Sequence, residues 1–135
     1  MQDFIHSLRE HNLKATPQRL AISAALYQNG HMSIDALYEE LIRKFDSLSL
    51  ATIYKNIHIM IENSFIQEVK IPHAKSVYEL TKESHSHLVC NSCGLIEDIA
   101  VDLAPYFKQH PLKTTFKIEK SELVLSGFCS HCQNS

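Results

Sequence analysis

His85-Ser86-His87-Leu88-Val89-Cys90-Asn91-Ser92-Cys93 sets the reading of this chain, because a second knuckle, Cys129-Ser130-His131-Cys132, answers it near the far end. The two knuckles hold all four cysteines at the same Cys-x2-Cys spacing, with positions 94–128 between them. Each short turn aims two thiolates at one point, and paired knuckles suit a tetrahedral Zn²⁺. A lone Cys-x2-Cys would also serve as a redox dithiol. Two matched pairs with no cysteine left over favour a structural metal instead. Disulfides fit poorly, because the sequence shows no signal peptide and a reducing cytoplasm is expected. The two histidines ahead of Cys90 exceed what an all-cysteine site needs, and point to a second site beside it.

Working outward, 135 residues suffice for one ordinary domain or two small ones. A small second domain would need a staple, and metal binding energy would count as folding energy. No apolar run approaches the ~20 residues that span a bilayer. A net charge of −2 argues against nonspecific coating of nucleic acid, while leaving room for a local basic patch. There is no internal repeat or low-complexity stretch.

The N-terminal half has helical periodicity. A first helix is expected from about Gln2 to His11. Thr16-Pro17 starts a second, with Thr as N-cap and Pro where its missing N–H costs nothing, running to about Gln28 before Asn29-Gly30. Ser33 opens a third, with an apolar stripe from Ile34 to Phe45. Ser49 caps a fourth, on which Leu50, Ile53, Ile57, Met60 and Ile61 are expected to face inward. Its outer face shows Ala51, Thr52, Tyr54, Lys55 and His58, a set suited either to a solvated surface or to reading a major groove. Two β-rich stretches follow, Phe65–Ile71 and Ser76–Leu80, around a turn containing Pro72. Helices followed by a hairpin predict a winged helix-turn-helix.

Beyond a polar hinge at Leu80–His85, the composition is mixed α/β. His87–Val89 and Leu95–Ile99 predict strands flanking the first knuckle. Asp102 is expected to cap a helix through about His110, and Phe116–Leu125 alternates like a strand. The expected class is therefore α+β: a winged helix-turn-helix over 1–80 and a small zinc-stapled α/β domain over 81–135.

With these residues in place, the chain resembles the ferric uptake regulator (Fur) superfamily. The resemblance rests on Lys14-Ala15-Thr16-Pro17-Gln18-Arg19, Ser49-Leu50-Ala51-Thr52-Ile53-Tyr54-Lys55-Asn56, Val77-Tyr78-Glu79-Leu80, the His85–Gly94 segment and Ile96-Glu97-Asp98. It implies a homodimeric, metal-activated repressor that binds a palindromic operator in double-stranded DNA. It also implies structural zinc on Cys90, Cys93, Cys129 and Cys132, and a regulatory ion on His31, Glu79, His85, His87 and Asp98. Three imidazoles and two carboxylates suit Fe²⁺ or Mn²⁺ better than a thiophilic ion. Tyr54 resembles the family's base-contacting tyrosine, with Lys14, Arg19, Thr52 and Lys55 as further DNA contacts. Within the superfamily the signs conflict. Ser84, Ser86 and Ser121 stand where iron sensors carry an auxiliary site, and Asp98 favours the peroxide-sensing (PerR) branch, whereas Glu79 stands where that branch usually has Asp. Peroxide sensing is the main expectation. Iron-responsive regulation is the alternative, followed by zinc or nickel sensing.

Two rival classes have weaker support. A zinc hydrolase or deaminase would carry His-Glu-x2-His, or His-x-Glu with Pro-Cys-x2-Cys, and neither occurs. A zinc-ribbon adaptor would explain the cysteines but leave His31, Glu79, His85, His87 and Asp98 without a purpose.

Overall fold

Side-chain caps set the helices of the first half, beginning with Asp3, whose carboxylate accepts the His6 N–H. In a computed structural model that describes residues 3–82, 85–119 and 121–133, the Thr16 hydroxyl accepts the Arg19 N–H and starts α2, Pro17–Asn29. Ser33 does the same for α3, Ile34–Leu41, and Ser49 for α4, Leu50–Glu62. Each cap satisfies an orphan donor in the first turn. Gly30 ends α2 at φ 80°, a left-handed conformation that glycine adopts without penalty. A short α1, Phe4–Glu10, precedes these helices, and the hairpin of β1 (Ile66–Val69) with β2 (Val77–Leu80) follows them. The expected start of α1 at Gln2 lies outside the described residues.

The chain forms two compact units, Met1–Thr81 and Lys82–Ser135. Burial in the first unit follows the helical periodicity: Leu8, Ile22, Leu26, Leu37, Ile53 and Met60 are each at most 1% exposed. One expectation fails here. Leu50, read as inward-facing, is 40% exposed, because it sits at the first position of α4, ahead of the turn that meets the core. The third helix also stops at Leu41, before its apolar stripe ends at Phe45.

The second unit contains β3 (Ser86–Cys90), β4 (Ile96–Ile99), α5 (Ala104–Gln109) and β5 (Val124–Gly127). β3 is central, antiparallel to β4 and parallel to β5. Gly94 turns the first knuckle at φ 79°, and its N–H reaches the Cys90 carbonyl. Two expectations need correction. Asp102 is not the N-cap of α5: that position is Leu103, and the Asp102 carboxylate instead accepts the Ala104 N–H at 3.0 Å. The strand predicted over Phe116–Leu125 shrinks to Val124–Gly127. Phe116 (82% exposed) and Ile118 (53%) lie outside any strand, so strand-like composition there has no ladder to enter.

The units differ sharply in core. Of the buried apolar side chains among the described residues, sixteen belong to the first unit, and only Val89 and Cys90 belong to the second. A unit this thin needs a staple or a partner surface. No helix among the described residues is long and apolar enough to cross a membrane.

Candidate metal centres and nucleic-acid interface

The cysteine cluster is built within the second unit. β3 ends at Cys90, the knuckle turn carries Cys93, and the parallel pairing of β5 with β3 delivers the chain to Cys129 and Cys132. One Sγ from each lies within 4.8 Å of the other three, and the Cys93 and Cys129 sulfurs are 3.8 Å apart. All four are free thiols. Cys90 Sγ accepts the N–H groups of Cys93 (3.5 Å) and Cys129 (3.4 Å), and these donors lower its thiol to about 6. Cys132 moves the other way, up to about 11: a hydrogen bond from Ser92 opposes the rise, but the Cys129 sulfur, burial and the other two thiols outweigh it. A cation held by four such sulfurs would displace the protons that the thiols carry.

The imidazole–carboxylate residues occur in both units. In the first, a backbone bridge between Met32 and Tyr78 ties the segment after Gly30 to β2. That bridge places His31 Nε2 2.8 Å from Glu79 Oε2, with the carboxylate only 1% exposed. The second Glu79 oxygen, Oε1, accepts the Gln67 amide at 2.5 Å across the hairpin, where the two residues are register partners. In the second unit, Asp98 on β4 faces His87 on β3. Asp98 Oδ1 is 3.5 Å from His87 Nε2 and 3.8 Å from His85 Nε2, and the two imidazole rings pack at 4.5 Å. Asp98 Oδ2 pairs with the Lys82 ammonium. The spacing of two thus brings both histidines to one carboxylate, His87 from within β3 and His85 from one residue ahead of it.

Of the serines read as a missing auxiliary site, Ser86 is buried, with its hydroxyl directed to the Val101 carbonyl at 3.4 Å. Ser121 is exposed, and Ser84 lies outside the described residues.

On the α4 face, Tyr54 is 53% exposed and Lys55 is exposed beside it. Thr52 is engaged in the cap, with its hydroxyl 2.9 Å from that of Ser49. Lys14 is exposed just ahead of α2. Arg19 is partly buried: its Nε donates to Asn56 Oδ1 (3.1 Å) and its Nη1 to the Lys14 carbonyl (3.2 Å), joining α2 to α4. Asn56 stands in a quoted motif without an assigned part, and Gln67 and Lys82 escape the motif-based reading. Their roles depend on cross-helix and cross-strand partners that a single sequence does not display.

Comparison with known proteins gives a consistent family. The model of the ferric uptake regulator family matches residues 10–126. The peroxide-responsive repressor PerR of Staphylococcus saprophyticus is 30% identical over 99% of this chain and 92% of its own. Among solved structures, the Vibrio cholerae ferric uptake regulator superposes with a TM-score of 0.75 at 30% identity, covering 94% of this chain and all of its own. The Campylobacter jejuni peroxide stress regulator gives a TM-score of 0.72 at 31% identity, covering 97% and 100%.

Proposed function

Since the chain belongs to the ferric uptake regulator family, a family of transcriptional regulators rather than enzymes, we propose that it is a metal-dependent repressor responding to peroxide. The observation that carries the metal dependence is the pairing of imidazoles with carboxylates, His31 with Glu79 and His85 and His87 with Asp98, apart from a cluster of four thiols.

Each donor set fits a different ion. A tetrahedron with Zn–S bonds of about 2.3 Å has edges of about 3.8 Å, the spacing of Cys93 and Cys129. We assign structural zinc to Cys90, Cys93, Cys129 and Cys132. His31, Glu79, His85, His87 and Asp98 offer three nitrogens and two carboxylates, suited to Fe²⁺ or Mn²⁺. Bound Fe²⁺ would supply the one-electron chemistry that lets peroxide act on the protein. The residues themselves hold the ion and link it to DNA. His31 and Glu79 come from the first unit and the other three from the second, so an ion held by all five favours one arrangement of the units. Linkage then requires DNA and metal to strengthen each other's binding by the same factor.

For DNA, we propose that residues 1–80 bind an operator through α4, with Tyr54 at a base edge and Lys14 and Lys55 at phosphates. Thr52 and Arg19 play supporting parts, since both are engaged within the fold. Residues 81–135 form the dimerisation domain. The second unit's hollow lined by Leu88, Leu95, Leu125 and Phe128 supports this, as does the exposure of Leu125 (47%) and Phe128 (59%). A two-fold dimer would read a palindrome. The free thiols accord with a reducing cytoplasm.

Peroxide response is favoured over iron response by Asp98 and by relatives named as peroxide-responsive repressors. Glu79 is the residue that keeps the iron-responsive reading as the alternative. The basic test compares Mn²⁺-dependent operator binding by the zinc-loaded protein and by His85→Ala. Loss in the variant with zinc content unchanged supports the sensor. Equal binding would remove His85 from the site on which DNA binding depends.

A further inference from the structure

Glu79 is one methylene longer than the aspartate usual in the peroxide-sensing branch, and the structure shows what its extra reach meets. Gln67 on β1 and Glu79 on β2 are direct cross-strand partners. The Gln67 amide donates to Glu79 Oε1 at 2.5 Å, while Oε2 lies 2.8 Å from His31 Nε2. The carboxylate is 1% exposed, so water does not substitute for either partner.

We propose that Gln67 is a positioning residue for the regulatory ion: its amide holds one oxygen of Glu79, so that the carboxylate presents its other oxygen on the side of His31. This rests on the assignment of Glu79 and His31 to that ion. Carboxylates bind metals through one oxygen or two, and the choice changes both affinity and the number of positions left for other ligands. An amide already bonded to Oε1 opposes two-oxygen binding. It also fixes the carboxylate plane before the ion arrives, so less ordering is needed on binding. A shorter carboxylate at position 79 would withdraw by about one C–C bond, ~1.5 Å, and lose the Gln67 amide. The role is therefore specific to glutamate here.

A buried carboxylate needs donors for stability in any case, so the test must separate positioning from folding. It measures Mn²⁺ affinity of the full-length, zinc-loaded protein, by the electron paramagnetic resonance of free Mn²⁺ and by competition with a chelating dye. The variants are Gln67→Leu, Glu79→Asp, the double variant and His87→Ala, each with its thermal unfolding midpoint recorded in the absence of Mn²⁺. Outer partners of metal ligands typically contribute 10–100-fold, so Gln67→Leu is expected to weaken Mn²⁺ by about tenfold. In the Glu79→Asp background the same change is expected to cost less than about twofold, a coupling that a general loss of stability would not produce.

Unchanged affinity in Gln67→Leu, or an equal loss in both backgrounds, would overturn the positioning role. The His87→Ala arm isolates the premise. If it binds Mn²⁺ as tightly as the parent, the metal site itself is wrong and the role of Gln67 falls with it. If it loses tight binding while Gln67→Leu keeps it, only the Gln67 proposal fails.

Discussion

Asp98 divides its two carboxylate oxygens between unlike partners: Oδ1 faces His87 Nε2 at 3.5 Å, and Oδ2 pairs with the Lys82 ammonium. A cation thus already accompanies a carboxylate assigned to the regulatory ion. Lys82 and a divalent metal compete for the same negative charge. Lys82→Met should therefore tighten Mn²⁺ binding. The Lys82 side chain is 47% exposed, so the effect is that of a screened pair, roughly 0.7 kcal/mol or threefold. The gain should shrink as salt is raised. Weaker binding in the variant would show that Lys82 orients Asp98 more than it opposes the ion.

The cysteine cluster should govern the second unit alone. With Val89 and Cys90 the only buried apolar side chains there among the described residues, stripping the zinc assigned to the cluster with a strong chelator is expected to reduce strand signal in circular dichroism and expose residues 82–135 to protease. The helices of Met1–Thr81, with their own core, should persist. Retention of the strand signal after complete zinc removal would contradict this.

Tyr54→Ala should separate DNA binding from folding. The side chain is 53% exposed on α4, so stability should change by no more than about 0.5 kcal/mol. Loss of one base-edge contact should cost about 1–3 kcal/mol of operator affinity. An unchanged operator affinity at fixed salt would remove this helix face from the interface.

Ser49→Ala tests the cap that starts the same helix. The Ser49 hydroxyl accepts the Thr52 N–H at 3.2 Å, and losing such a cap costs ~1 kcal/mol. The expected readout is a lowered unfolding midpoint for the first unit, with Mn²⁺ affinity little altered.

The order of helices and hairpin was legible because its determinants are local. Thr16, Ser33 and Ser49 are caps whose function is complete within three residues, and Gly30 supplies a conformation few other residues tolerate. The cysteine knuckles were legible for the same reason. Misreadings arose where the decisive partner is distant. Phe116–Glu119 has strand composition, yet a strand is defined by its ladder, and alternation alone does not say whether a neighbour exists. Leu50 shared the apolar spacing of α4, but its place in the first turn put it outside the packed layer. Gln67 carried no motif at all, and only the register Gln67↔Glu79 reveals it.

On the proposed function, the imidazole–carboxylate residues make DNA binding depend on a peroxide-sensitive ion. The most direct measurement is fluorescence anisotropy on a palindromic operator, using zinc-loaded protein reconstituted anaerobically with Fe²⁺ or with Mn²⁺ and then given a small dose of peroxide. The Fe²⁺ form is expected to release DNA and not to rebind after reduction and fresh Fe²⁺, while the Mn²⁺ form stays bound. If both forms hold DNA through the peroxide and let go only when a chelator removes the ion, the protein reports metal availability, and the peroxide reading is wrong.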